Sequence, residues 1–181
     1  MVAERLASVP SVRAARTLML FLSLPTEIDT WPIIQWAWQE GKRVAVPRIE
    51  PVGAGPELPL AKRDMVAVLL QAADVEGIAS HPDVRPGAMG LFEVPAAPPI
   101  PVSEIDVVVA PCQAVDRAGN RLGKGGGFYD RFLSLPEMKA ERIVAAFHEQ
   151  IFDEVPVVAT DQPIDRVVTD GEVLTFNRPR T

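Results

Sequence analysis

Short apolar runs separated by turn signals recur along the chain. They lie at Thr17–Leu24, Arg43–Pro47, Val107–Pro111, Arg142–Phe147 and Val167–Thr169. Runs of this length are typical of strands that are buried on both faces of a parallel sheet. The pattern therefore predicts five strands, with Val107–Pro111 as the central one.

Two segments between these runs have helical features. The first can be capped by Asp29 or Thr30 and ends at Gly41, and Pro32 suits its first turn. Its apolar residues recur on one face and are predicted to lie in the core: Trp31, Ile34 and Trp38. A second helix is predicted at Gly126–Leu135.

The middle of the chain, residues 48–105, is less regular. Met65–Gln71 is a possible strand, and we interpret the proline cluster Pro95–Pro101 as a stiff surface crossover. The alternation of strands and helices predicts an α/β domain with a mostly parallel sheet covered on both faces. A chain of 181 residues is most simply one domain, residues 1–181.

Composition narrows the classes of function. The chain carries 18 Lys and Arg against 24 Asp and Glu, a net charge of −6, which argues against nucleic-acid binding. No apolar run reaches the roughly 18–20 residues that span a bilayer, so no membrane partner is expected. Cys112 is the only cysteine, which fits a reducing compartment. We therefore expect a cytoplasmic protein, and we interpret Cys112 as a small buried residue.

The strongest chemical signal is Asp116–Arg131, which reads DRAGNRLGKGGGFYDR and holds five of the chain's 12 glycines. The cations around those glycines are Arg117, Arg121, Lys124 and Arg131. Glycine lets backbone N–H groups converge on a ligand, and added Arg and Lys favour phosphate. Because the segment follows a buried strand and leads into a helix, it predicts a phosphate site at the carboxyl end of the sheet. A flexible surface turn is the alternative.

Two familiar phosphate loops do not fit this segment. A Walker A loop needs four residues between its first Gly and Gly-Lys-Ser/Thr. Here only three residues separate Gly119 from Gly123 and Lys124, and Gly125 replaces the hydroxyl residue. The dinucleotide fingerprint needs Gly at its sixth position, where counting from Gly123 finds Phe128. The loop is therefore of a third kind.

The string RLGKGGGFYDR, residues Arg121–Arg131, resembles the signature of the 5-formyltetrahydrofolate cyclo-ligase family, also called methenyltetrahydrofolate synthetases. The resemblance covers most of the chain, from about residue 12 to about residue 170. Further matching elements are Phe21–Thr30, Gly41–Pro47, Gly90–Glu93 and Asp161–Thr169. The resemblance implies a three-layer α/β/α sandwich with a mostly parallel sheet.

The resemblance also implies a reaction. Family members use ATP and Mg²⁺ to convert 5-formyltetrahydrofolate to 5,10-methenyltetrahydrofolate, and they release ADP and phosphate. The formamide oxygen is a poor leaving group, and its phosphorylation gives an iminium phosphate that nitrogen-10 of the folate can attack. Such a transfer needs positioning and charge neutralisation more than a protein nucleophile. The implied partners are these small molecules, and the implied assembly is a monomer or weak homo-oligomer.

By match to the motif, the resemblance implies an ATP-binding loop made of Arg121, Leu122, Gly123, Lys124, Gly125, Gly126, Gly127, Phe128 and Tyr129. Arg121, Lys124 and Tyr129 are the expected catalytic residues, with the two cations paired to phosphates. Asp130 and Asp161 match positions associated with Mg²⁺, a hard ion that suits carboxylate oxygens. The alternative for Asp130 is a salt bridge or helix cap, and for Asp161 it is a turn.

Three residues match substrate-binding positions: Leu22, Glu27 and Glu93. The Glu27 carboxylate can accept two hydrogen bonds from the amino and amide edge of a pterin, and its alternative role is an acid at a helix start. Leu22 could equally be a core residue. Glu93 departs from the family pattern because Val94 separates it from Pro95.

A further departure concerns the N-terminus. Family members usually begin with a longer basic segment that reaches the nucleotide, whereas only Met1 to about Ser11 precede the first strand region here. No N-terminal ATP ligand is therefore assigned. Two other interpretations stay open: a nucleotide- or folate-binding paralogue without cyclo-ligase activity, and an enzyme of another class on a similar fold. His81 and His148 lack metal-ligand spacing and are interpreted as structural or surface residues.

Overall fold

The computed structural model of the chain describes residues 1–52, 63–87 and 90–176. Its α-helices are α1 (Val2–Ser8), α2 (Pro10–Ala14), α3 (Trp31–Gln39) and α4 (Phe128–Leu133). Its strands are β1 (Thr17–Leu20), β2 (Arg43–Pro51), β3 (Arg63–Leu70), β4 (Arg85–Pro86), β5 (Phe92–Glu93), β6 (Val107–Ala110), β7 (Ala114–Asp116), β8 (Arg121–Leu122), β9 (Glu141–Ala145), β10 (Ile151–Phe152), β11 (Arg166–Val168) and β12 (Val173–Thr175). Single turns of 3₁₀ helix lie at Ile78–Ser80, Val102–Glu104 and His148–Gln150.

The main sheet has the strand order β12–β11–β9–β6–β1–β2–β3. Strands β2, β1, β6, β9 and β11 are parallel, and the edge strands β3 and β12 are antiparallel to their neighbours. From β1 the chain passes to β2 on one side and later to β6 on the other. In an open α/β sheet such a switch point leaves a crevice at the carboxyl ends of the strands, where ligands bind.

The central strands are buried on both faces, which is why their sequences are apolar at every position. In β1, Leu18 and Leu20 pack in one cluster with residues of α1, α2 and α3. Met19, which points to the opposite face, packs with Phe132 and Leu133 of α4. The small sheet β10–β7–β8 adds Val115 to that second face, next to Ala110, Val144 and Val167 of the main sheet. The result is the predicted three-layer α/β/α sandwich with a mostly parallel sheet.

The predicted elements are present with shifted ends. The first strand stops at Leu20 instead of Leu24, because its pairing with β6 ends there. The first helix begins where expected, and the backbone N–H of Trp31 donates to Asp29 Oδ1 at 2.9 Å. Trp38 packs edge-to-face on Trp31, with 5.6 Å between the ring centroids, so the tryptophans do belong to the core. The second helix, α4, is two residues shorter at each end than predicted.

Several features were not predicted from the sequence, among them the short strands β4, β5 and β10. Helices α1 and α2 precede β1, and the hairpin β7–β8 lies between the central strand and the glycine-rich loop. Strand β12 pairs antiparallel at one edge of the sheet. The second strand extends beyond Pro47 to Pro51, because it pairs antiparallel with β3 along that length.

None of the described helices has the length and apolar character needed to cross a bilayer.

Candidate active site

A cleft of about 800 Å³ opens at the switch point, between the segments that follow β1 and β6. Its volume is in the range that holds a small-molecule ligand. Every residue predicted for the site lines this cleft: Leu22, Glu27, Glu93, Arg121, Leu122, Gly123, Lys124, Gly125, Gly126, Gly127, Phe128, Tyr129, Asp130 and Asp161. The fold therefore brings together residues that are up to 139 positions apart, from Leu22 to Asp161.

The β7–β8 hairpin positions the start of the loop. The Asp116 carboxylate accepts hydrogen bonds at 2.9 Å from the backbone N–H groups of Ala118 and Asn120 and from the Asn120 side-chain amide. Burial alone would raise the pKa of Asp116, but these bonds and one from the Val155 N–H hold that pKa below its ordinary value. The turn is therefore built around an ionised carboxylate.

The loop itself requires glycine at defined positions. Gly125 and Gly127 have φ angles of 84° and 63°, in the left-handed region that strains other residues. A Cβ atom at Gly123 would lie 2.8 Å from Arg121 Nη1. The missing side chain at Gly123 therefore lets the Arg121 guanidinium lie directly against the loop.

Arg121 is buried beneath the loop and paired with Asp130. Its Nη2 donates to the two carboxylate oxygens at 2.9 Å and 3.0 Å. Asp130 Oδ1 also accepts the backbone N–H of Gln162 at 3.1 Å. The salt bridge considered as an alternative for Asp130 is thus present, and the hydrogen bond from Gln162 ties α4 to the loop that carries Asp161. The roles of Arg121 in phosphate binding and of Asp130 in metal binding stay predictions.

Lys124 and Glu27 form an ion pair across the cleft, with 2.7 Å between Lys124 Nζ and Glu27 Oε1. The lysine is half-exposed, whereas the Glu27 side chain is only 10% exposed. The backbone N–H of Leu24 donates to the other oxygen of Glu27 at 2.9 Å. Glu27 is not an acid at a helix start, because α3 begins at Trp31. The residue expected to bind phosphate thus contacts the residue expected to bind the pterin.

The two carboxylates predicted for Mg²⁺ make a sparse set of metal ligands. Asp161 Oδ2 accepts the backbone N–H of Val158 at 2.9 Å, so this residue also holds the predicted turn. Within the described ranges, no group of three or more His, Cys, Asp or Glu side chains could hold a metal ion. Mg²⁺ often uses one or two carboxylates and takes its other ligands from water and phosphates, so the role of Asp130 and Asp161 in metal binding stays a prediction.

Two further groups that line the cleft are the Tyr129 phenol and the Cys112 thiol. The Tyr129 ring is partly exposed, but its hydroxyl is buried and has no hydrogen-bond partner among the described residues. Burial raises the pKa of that hydroxyl well above its ordinary value. Burial likewise raises the pKa of the Cys112 thiol to about 12. Both groups are therefore protonated, and Cys112 is the small buried residue that was expected.

The part of the cleft that is lined by β2, β3, β5 and the segment after β1 is mostly apolar, and we call it the apolar wall. It contains Phe21, Leu22, Leu24, Pro47, Ile49, Met65, Leu91 and Phe92. Glu93 lies among these residues, and its Oε1 accepts the backbone N–H of Ile49 at 3.3 Å. The adjoining segment is fixed by Arg48, which donates to the carbonyl oxygens of Val94 and Pro95 at 3.2 Å and 3.0 Å. The apolar wall thus suits a flat aromatic ligand, whereas the glycine loop with its cations suits an anion.

The sequence matches the profile of the 5-formyltetrahydrofolate cyclo-ligase family over residues 1–170. The chain belongs to this family. The 5-formyltetrahydrofolate cyclo-ligase of Escherichia coli K12 is 34% identical over 172 residues, which cover 94% of this chain and 87% of that protein. The protein of the same name from Mycolicibacterium smegmatis is 30% identical over 158 residues, which cover 86% of this chain and 74% of its own.

The fold of this cyclo-ligase family member is similar to that of the 5,10-methenyltetrahydrofolate synthetase of Aquifex aeolicus. The TM-score is 0.75 at 24% identity, with 99% of this chain and 81% of that one covered. Membership in the cyclo-ligase family makes the protein an enzyme, a ligase of folate one-carbon metabolism. The resemblance drawn from Arg121–Arg131 is therefore confirmed.

Sequence reasoning missed several residues that line the cleft of this cyclo-ligase. Met65 and Ile49 come from strands whose register the sequence does not reveal, and Val158 lies in a loop without a motif. Arg131 was counted among the cations that favour phosphate but was not assigned to the site individually. His81, as interpreted, is structural: it is buried, and its Nε2 lies 2.9 Å from the carbonyl oxygen of Gln71.

Proposed function

We propose that this protein catalyses the ATP- and Mg²⁺-dependent conversion of 5-formyltetrahydrofolate to 5,10-methenyltetrahydrofolate, with release of ADP and phosphate. The observation that carries the proposal is the 2.7 Å contact between Lys124 and Glu27. It joins a glycine-rich loop suited to phosphate with a carboxylate suited to a pterin. Two substrates held by these residues meet in one cleft, as transfer between them requires.

The proposed chemistry has two stages. The oxygen of the formyl group carried by nitrogen-5 attacks the γ-phosphorus of ATP. The bond between that phosphorus and the oxygen that bridges it to the β-phosphate breaks, which releases ADP. Nitrogen-10 then attacks the carbon of the iminium phosphate and loses its proton, and the carbon–oxygen bond breaks to release phosphate. Because no protein atom becomes covalently attached, the protein contributes position and charge.

The glycine loop is proposed to bind the nucleotide. Lys124 leaves Glu27 and pairs with phosphate oxygens, and the backbone amides of Gly125, Gly126 and Gly127 donate to them. Arg121 contributes its positive charge from beneath the loop while it holds Asp130. The Tyr129 hydroxyl, buried without a partner among the described residues, is proposed to donate to a substrate oxygen.

Asp130 and Asp161 are proposed to hold Mg²⁺ together with the phosphates of the nucleotide. When bound, the ion neutralises charge on the transferred phosphoryl group. The contacts that Asp130 makes to Arg121 and to the Gln162 N–H keep its carboxylate between α4 and the loop that carries Asp161. This chain's contribution is thus to keep two carboxylates on the same side of the cleft.

The folate is proposed to lie on the apolar wall. Glu27 accepts hydrogen bonds from the pterin edge, and Leu22 and Phe92 cover the ring. Glu93 lies on the same wall, and the Val94 insertion does not remove it from the cleft. We further propose a cytoplasmic location. We also propose a monomeric or weakly associated state, and size-exclusion chromatography can check this oligomeric state.

The test is the near-ultraviolet absorbance of the methenyl product, followed with 5-formyltetrahydrofolate, Mg²⁺, and ATP present or omitted. An ATP-dependent rise supports the reaction, and Lys124→Ala should slow it by about 10²–10³-fold. Arg117→Ala is a matched control, because Arg117 is an exposed cation that contacts Glu172 at 3.4 Å. Absence of product from a folded, nucleotide-binding protein would instead identify a paralogue without cyclo-ligase activity.

A further inference from the structure

Arg131 makes an unusual set of contacts for a half-exposed side chain. Arg131 lies in the last turn of α4, and its Nη1 donates to the carbonyl oxygen of Gly126 at 3.0 Å. Its Nη2 donates to the carbonyl oxygen of Arg63 at 2.9 Å, and its Nε donates to Asp64 Oδ1 at 3.0 Å. One guanidinium therefore connects the glycine loop to the start of β3 by three separate donors.

The loop is shaped around this guanidinium. A Cβ atom at Gly127 would lie 2.9 Å from Arg131 Nη1, and Gly127 already has a left-handed φ of 63°. The guanidinium also lies over the Phe128 ring, 5.0 Å from its centroid. The backbone at Gly126 and Gly127 and the Arg131 side chain thus fit one another closely.

We propose that Arg131 is a positioning residue for the nucleotide loop. It holds the Gly126 carbonyl oxygen on the β3 side of the loop, where that oxygen cannot repel a bound phosphate. The inference rests on the proposed function, since it concerns the same loop. The Asp64 carboxylate and two carbonyl oxygens engage all three nitrogens of the guanidinium and three of its five N–H groups, so we assign Arg131 to positioning the loop and not to binding phosphate.

The energetic effect of Arg131 is local. The side chains of Arg131 and Asp64 are 42% and 55% exposed, and ion pairs that are this accessible contribute little to global stability. Three donors in a rigid fork nevertheless restrict the orientation of one peptide group, which is what a phosphate site built from backbone amides needs.

The experiment compares Arg131→Ala, Arg131→Lys and Asp64→Ala with the unmodified protein by two measurements. Hydrogen exchange of the peptide that covers the glycine loop is measured without ligand, and a non-hydrolysable ATP analogue with Mg²⁺ is titrated by calorimetry. Arg131→Ala should speed exchange in the loop and weaken analogue binding by about ten- to a hundredfold, without changing the KM for folate. Arg117→Ala again controls for the loss of one positive charge.

The other variants decide between positioning and direct binding. Arg131→Lys keeps the charge but lacks the fork, so it should rescue analogue binding only in part. Asp64→Ala should weaken analogue binding by about two- to fivefold, because the fork loses one anchor. Tighter analogue binding by Asp64→Ala would mean that a released Arg131 contacts phosphate directly, and it would overturn the proposal.

Two further outcomes complete the test. Arg131→Ala could instead raise the KM for ATP and the KM for folate equally and lower the denaturant midpoint. That result would make Arg131 a structural residue and overturn the proposal. Faster loop exchange and weaker analogue binding support it even if the protein forms no methenyl product, because neither measurement needs turnover. Failure of the proposed reaction and failure of this inference are therefore distinguishable.

Discussion

Glu27→Gln is expected to strengthen nucleotide binding in the absence of folate. In the unliganded protein, Lys124 must leave Glu27 before it can pair with a phosphate, since Lys124 Nζ lies 2.7 Å from Glu27 Oε1. Glutamine keeps an oxygen for the Leu24 N–H but lacks the charge that holds the lysine. Freeing Lys124 should therefore lower the dissociation constant of the nucleotide.

The size of this effect follows from exposure. Lys124 is 45% exposed and Glu27 is 10% exposed, so the pair belongs at the upper end of partly accessible ion pairs, about 0.5–1 kcal/mol. Since 1.4 kcal/mol is about tenfold in an equilibrium constant, this corresponds to a dissociation constant about two- to fivefold lower. The same variant should raise the KM for 5-formyltetrahydrofolate, because Glu27 is proposed to bind the pterin.

The assay is calorimetric titration of a non-hydrolysable ATP analogue with Mg²⁺ and without folate. Glu104→Gln is the matched control: it also removes one negative charge from an ion pair, with Arg43 at 2.6 Å, but Glu104 does not line the cleft. Unchanged or weaker analogue binding by Glu27→Gln, with Glu104→Gln unchanged, would refute the idea that the ion pair competes with the nucleotide.

Three other variants test single contacts. Asp116→Asn should lower the free energy of unfolding by about 1–3 kcal/mol at neutral pH. Because the pKa of Asp116 is lowered in the folded state, this difference should shrink as the pH falls below about 4. Urea unfolding measures it, and a difference that does not change with pH would contradict the prediction. Tyr129→Phe should leave the melting temperature unchanged or raise it, since the Tyr129 hydroxyl has no hydrogen-bond partner in the described part of the chain. Its turnover should fall about tenfold, and turnover equal to that of the unmodified protein would argue against a substrate contact. Gly119→Ala should destabilise the protein by about 1–3 kcal/mol more than Gly41→Ala. Both glycines have a positive φ angle, but only at Gly119 would an added Cβ atom meet the Phe176 ring, at 2.9 Å. Equal melting temperatures of the two variants would refute this steric argument.

How far the fold could be predicted depends on where each element gets its stability. Val107–Ala110 is buried on both faces, so its sequence alone indicates a central parallel strand. Helices α1 and α2 are short, and in the sequence Pro10 suggests a helix breaker. In the structure, Pro10 lies in the first turn of α2, where proline is tolerated. The edge strand β12 is exposed at Val173 and Thr175, so its pattern is not that of a buried strand.

The sequence predicted which residues lie together in the cleft, but not which of them form ion pairs with one another. The family resemblance named residues that all line the cleft, and the glycine-rich loop with its cations predicts phosphate binding there. It did not indicate that Arg121 pairs with Asp130 or that Lys124 pairs with Glu27, since these contacts depend on how the loop lies against the segment after β1. Separations of 9 and 97 positions give no periodic signal that a pattern could reveal.

The packing of α1 has a consequence for the order in which the chain is made. Val2 and Leu6 share one apolar cluster with Val168 of β11, so the first and last parts of the core are completed together. During synthesis, the N-terminal helix leaves the ribosome long before residues 166–168 exist. Helix α3 can cover part of its apolar face early, but the part that packs with Val168 stays uncovered, and open to chaperones or to premature association, until the final parallel strand is added.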